Sequence, residues 1–131
     1  MSATTSVNYK VSTEKPVQEA VLAIEEAAKA QGFGVLNKLD IQQILANKGF
    51  DRSPYTLLEV CNPRFASEVL AADPEIGTFL PCPIAVYEEE GKTFLSAMLP
   101  TVIATHFEAP SIHETAQEVE KRIQAIVDAA K

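Results

Sequence analysis

The sequence predicts an α+β fold of two layers, with two long helices laid on one face of an antiparallel sheet of about five strands. Three observations predict it. Apolar residues recur at i, i+3, i+4 spacing over residues 17–28 and again over 112–127, the signature of helices with one buried stripe. Between those stretches lie short segments rich in β-formers, bounded by Gly, Pro, Asn and Asp. The links between the segments are short and Gly91 marks a tight turn, which favours antiparallel pairing.

The elements follow in order. Residues 1–6 are small and polar and are expected to form a frayed tail; residues 7–131 form one domain. Val7 to Ser12 alternates as a strand, with Val7, Tyr9 and Val11 on one side. Pro16 suits the first turn of the helix that buries Val17, Ala20, Val21, Ile24, Ala27 and Ala28, and Gly32 closes it. Phe33 to Leu39 is the second strand. Asp40 then caps a short helix, with Gln43 as its capping-box partner, and Gly49 ends it.

Tyr55 to Cys61 is the third strand. Asn62-Pro63 is a helix start, with Asn as cap and Pro at the first helical position. Phe65, Ala66, Val69 and Leu70 give that helix its buried side, and Asp73-Pro74 opens one more turn ending near Gly77. Ile84 to Glu90 and Lys92 to Leu99 are the last strands. Pro100 to Pro110 reads as irregular or as a short edge strand. Ser111 and Glu114 read as a capping box opening the final helix. The order is therefore β-α-β-β-β-β-α, with short inserted helices.

The long helices cover one sheet face. Phe94 and Met98 on one side and Leu95, Ala97 and Leu99 on the other make the last strand apolar on both faces. The second face is therefore expected to be buried against another copy of the chain, giving a homodimer.

A chain of 131 residues is long enough for a sizeable core, and 47% apolar with 22% charged residues is globular composition. The net charge of −7, with Lys and Arg scattered, gives no basic face for phosphate backbones, so nucleic acid is not an expected partner; the same argument disfavours a membrane surface. The stretch from Phe94 to Thr105 is too short to span a bilayer, and the N-terminus lacks an apolar run behind a basic start. A cytoplasmic location is expected, where the two cysteines stay reduced.

Residues 57–89, "LLEVCNPRFASEVLAADPEIGTFLPCPIAVYEE", together with "GFGVLNKLDIQQILANKG" and the closing helix, resemble domain-of-unknown-function family 302. The most specific parts are Glu59-Val60-Cys61-Asn62-Pro63 and Leu80-Pro81-Cys82, and the resemblance runs from about Val7 to Ala129. It implies a sheet and helices similar to half of the TATA-binding-protein architecture, in a dimer. It implies no activity.

Cys61 and Cys82 are the candidate site. Cys61 precedes a helix N-terminus, where thiol pKa values fall and anions bind. Glu59 shares a sheet face with Cys61, Arg64 sits in the first helical turn, and Cys82 lies between two prolines. Glu59, Cys61, Asn62, Arg64 and Cys82 are thus expected to bind a small molecule, or to form a soft-metal or redox thiol site. The competing reading is packing, because free cysteine usually behaves as a small hydrophobe. The functional expectation is a non-enzymatic homodimeric binding or sensing module. The alternative is a small cysteine-dependent enzyme with Cys61 as nucleophile beside Glu59. Their spacing matches no zinc motif, no glycine-rich phosphate loop appears, and neither His106 nor His113 has a visible nucleophile partner, so no catalytic residue and no cofactor is assigned. His113 is expected to be solvated, and Glu88-Glu89-Glu90 to be a charged hairpin end.

Overall fold

The computed structural model describes residues 2–4 and 7–131. Strands β1 (Ser2–Thr4), β2 (Asn8–Thr13), β3 (Gly34–Asp40), β4 (Tyr55–Cys61), β5 (Cys82–Glu89) and β6 (Lys92–Met98) form one sheet in the order β1-β2-β6-β5-β4-β3, each neighbouring pair antiparallel. The predicted α+β class stands. The sixth strand, Ser2–Thr4, falls within the expected tail and pairs with β2; residues 1, 5 and 6 of that tail lie outside the described residues.

Helix α1 (Val17–Ala30) carries the chain across the sheet from β2 to β3. It ends as the sequence requires. Gly32 adopts φ +78, and the N–H groups of Gly32 and Phe33 donate to Lys29 and Ala28 carbonyls, which satisfies the last turn. Helix α5 (Pro110–Ala130) packs beside α1. Together they bury Val11, Leu58, Val60, Ile84, Val86, Leu95 and Ala97 of the sheet. Burying each large side chain among these contributes roughly 1.5–3 kcal/mol. Among the described residues, no long helix lies on the opposite face.

Helices α2 (Ile41–Ala46), α3 (Pro63–Ala72), α4 (Pro100–Ala104) and a 3-10 helix at Pro74–Phe79 fill the links. The Asp40 and Asn62 caps form as read: Asp40 Oδ1 accepts from Gln43 N at 2.9 Å, and Asn62 Oδ1 accepts from the N–H groups of Arg64 and Phe65. The Gln43 side chain, however, bonds Asn47 rather than returning to the cap.

Several local expectations fail. Residues 100–104 are helical, because the α4 N-terminus is capped from a distance: Thr101 N and Oγ1 both donate to Glu120 of α5, at 3.1 and 2.6 Å. The Ser111 capping box does not form. Pro110, pre-set for a first helical position, starts α5 two residues earlier and draws Ser111 inside it. His113, expected in solvent, is half-buried with Nε2 2.7 Å from the Phe107 carbonyl.

Candidate functional site

The two cysteines sit at the same end of neighbouring strands. Cys61 closes β4, Cys82 opens β5, and the register sets Cys82 beside Val60. Cys82 therefore shares the helix-side face with Val60 and packs against the main core. Cys61, one residue further, belongs by alternation to the other face. Both thiols are free.

Asn62 holds this corner together. Its Oδ1 caps α3, while its Nδ2 donates to the Gly32 carbonyl at 3.0 Å. Arg122 of α5 donates to the neighbouring Gln31 carbonyl at 3.2 Å and lies 5.1 Å from the Phe65 ring. One carboxamide and one guanidinium thus tie the end of α1, the start of α3 and the middle of α5 into one junction. Both ends of the Asn62 amide are committed to the fold.

Behind the junction lies a cavity of about 60 Å³. It separates the main core from a second cluster of Val69, Ile76, Ala104, Ile112 and Ala116. Its walls come from α3 (Phe65, Val69), the 3-10 helix (Ile76, Phe79), α4 (Ile103), α5 (Ile112, Ala116) and the two cysteines. Phe79 meets Phe107 edge-to-face at 6.2 Å and keeps 38% of its surface exposed.

Burial sets the chemistry of the thiols. It raises the Cys61 pKa, and it raises that of Cys82 to about 11, with the nearby Cys61 charge adding to the rise. Cys82 keeps some surface of its own, but its place in the core packing explains the large shift. The expected lowering at Cys61 is overturned. The α3 N–H groups that would stabilise a thiolate already donate to Asn62, and desolvation prevails. Both sulfurs stay protonated at neutral pH.

The other candidates stand apart. Glu59 lies on the helix-free face and accepts from Asn37 Nδ2 at 3.1 Å. Arg64 points to solvent, with its side chain 81% exposed, and pairs with Glu68. The structure gathers Cys61, Asn62 and Cys82 around the cavity and leaves Glu59 and Arg64 outside it. Among the described residues no group of three or more His, Cys, Asp or Glu side chains is placed to hold a metal ion. The cavity walls at Val69, Ile76, Ile103, Ile112 and Ala116 were not legible as a site: their helical spacing signals a buried face, and nothing in it signals a void.

Residues 9–130 match the family model described as a domain of unknown function, DUF302. The chain belongs to the DUF302 family. The crystal structure of an uncharacterized conserved DUF302 protein from Bacillus stearothermophilus is similar to this chain at 36% sequence identity, with a TM-score of 0.89, covering 95% of this chain and 98% of that one. No curated protein matches it. Family and fold are thereby established, and they name no ligand. Among the described residues no helix is long and apolar enough to cross a membrane.

Proposed function

We propose that this DUF302 chain is a non-enzymatic binding module, and that its site is the apolar cavity at the Cys61–Cys82 corner. The observation that carries this reading is the cavity itself, a pocket partly open to solvent and lined by aliphatic and aromatic side chains at the seam between two core clusters. Cores normally close such gaps, because each forfeits packing energy. The ligand is a small apolar molecule or the end of an apolar chain. Two protonated thiols suit that ligand better than a soft metal or a redox partner, both of which need thiolate. The same protonation argues against Cys61 as a nucleophile, and Glu59 faces away from the cavity.

The chain works as a homodimer in this reading. Leu36, Ile44 and Phe50, on β3, on α2 and just after it, are large apolar side chains left well exposed in one copy. A cytoplasmic location accompanies it, supported by two free thiols. Light scattering at micromolar concentration tests the dimer, and a monomer mass would remove it.

The binding claim is tested with a series of n-alkanols, followed by methyl NMR. Affinity should rise about fourfold per methylene, the equivalent of about 0.8 kcal/mol, until the chain outgrows the cavity. Ala116→Phe, which fills the void, should abolish it. Affinity independent of chain length, or unaffected by Ala116→Phe, would end the proposal.

A further inference from the structure

The walls of the apolar cavity differ in how they are held. Helix α3 is tied by Asn62, which donates to the Gly32 carbonyl, and by Glu68, which accepts from the Thr115 hydroxyl of α5. Helix α4 is tied by Thr101 to Glu120, and α5 by Arg122 to the Gln31 carbonyl. Strands β4 and β5 pair with each other in the sheet. The 3-10 helix at Pro74–Phe79 has no such tie. Its hydrogen bonds stay within the segment and its flanks. Glu75 N donates to Asp73 Oδ1 at 3.0 Å, Ile76 N to the Asp73 carbonyl at 3.2 Å, Thr78 Oγ1 to the Glu75 carbonyl at 3.2 Å, and Leu80 N to the Gly77 carbonyl at 3.1 Å. Among the described residues, no hydrogen bond or ion pair joins residues 74–79 to another element.

Packing alone holds this segment down. Ile76 is buried in the second cluster, and Ile76, Phe79 and Leu80 all line the cavity. The Phe79 ring meets Phe107 edge-to-face, and the Phe107 carbonyl is in turn fixed by His113. Six residues make a long 3-10 helix, and its hydrogen bonds are poorer in geometry than those of an α-helix. Among the described residues lining the cavity, Phe79 alone is exposed, so the mouth lies at this segment.

We propose that residues 74–79 are a strap that swings away from the cavity as a unit and admits the ligand. Both ends are anchored. Asp73 N donates to the Val69 carbonyl of α3, and Cys82 begins β5. Opening exposes Ile76 and parts Phe79 from Phe107, but it breaks no hydrogen bond to another element. It therefore requires less than the opening of any other wall, each of which gives up such bonds as well as packing. The strap's role as an entrance rests on the cavity being the binding site; its motion does not.

Native-state hydrogen exchange of the full chain reads the motion without a ligand. Corrected for intrinsic rates, the Ile76 and Leu80 amides should exchange at least about 100-fold faster than those of central strand β5, and at a rate flat in low urea, as local opening requires. Phe107→Ala removes the ring that Phe79 meets, and Asp73→Ala removes the cap of the 3-10 helix. Each should speed strap exchange about threefold to tenfold, the scale of one aromatic pair or one cap. With 1-butanol as probe, followed by methyl NMR, entry and exit rates should rise together by a similar factor in both variants. Affinity should change less than twofold, because neither side chain lines the cavity. Strap amides that exchange only with global unfolding, or butanol rates unchanged in both variants, would overturn the proposal. The expected amide pattern without any butanol binding would sink the binding reading and leave the strap standing.

Discussion

Replacing Asn62 by alanine should destabilise the protein by about 2 kcal/mol, and the figure can be worked from its bonds. The Oδ1 atom accepts from the Arg64 and Phe65 N–H groups, and loss of such a cap costs about 1 kcal/mol. The Nδ2 atom donates to the Gly32 carbonyl, and that bond adds about another 1 kcal/mol. Asn62→Asp separates the two parts. It keeps the acceptor and places a negative charge at a helix N-terminus, which is favourable, but it removes the donor to Gly32. Its cost should stay below about 1 kcal/mol. The assay is urea denaturation. At a slope of about 2 kcal/mol per molar, the alanine midpoint should fall by about 1 M with the slope unchanged. An alanine variant within 0.2 M of wild type, or an aspartate variant as damaged as the alanine one, would refute the idea that one carboxamide joins α1 to α3.

Three further predictions concern the thiols and the hairpin. Cys82 has a folded pKa near 11 against an ordinary 9.0, so the unfolded chain releases its proton first as pH rises. Stability should therefore be level in this respect below pH 9 and fall between 9 and 11, by up to about 3 kcal/mol; Cys82→Ala, compared by denaturation across that window, should lose the extra fall, and parallel profiles would contradict the burial argument. At pH 7.5, iodoacetamide should modify Cys82 more slowly than a free thiol, with unfolding restoring the rate; fast modification in the native state would contradict it. The β5–β6 turn has positive φ at both Glu90 and Gly91, a conformation glutamate tolerates poorly, so Glu90→Asn should raise stability by about 0.5–1 kcal/mol. A thermal melt showing no gain would count against strain at that position.

How much was legible in the sequence depended on how local each signal is. Asn62-Pro63 and Asp40 cap their own helices within three residues, and both formed as read. Gly32 closed α1 for the same reason. The α4 helix was hidden because its cap, Glu120, lies 19 residues away. Ser111 misled because the adjacent Pro110 offered a competing start. The Phe94–Leu99 strand was read as needing a second copy to cover its outer face. That face is partly covered within the chain, since Tyr87 and Lys10 lie against Phe94 and Ser96 is buried.

The candidate site was legible only as a location. Sequence order implied that Cys61 and Cys82 would reach one end of the sheet if their strands paired, and the β4–β5 register bears that out. It did not place Glu59 and Arg64 outside the site: Glu59 lies on the sheet face away from the helices, where it bonds Asn37, and Arg64 pairs with Glu68 in solvent. Nor could it reveal the cavity, which exists only where α3, the 3-10 helix, α4 and α5 meet imperfectly.

A xenon-pressurised crystal measures the cavity most directly. Xenon seeks enclosed apolar space regardless of shape. A strong peak between Val69, Ile76 and Ala116 is the expected result, and it should vanish in Ala116→Phe. Density only at other positions, or none, would mean that this corner is closed packing and that the proposed module has no chamber in which to hold a ligand.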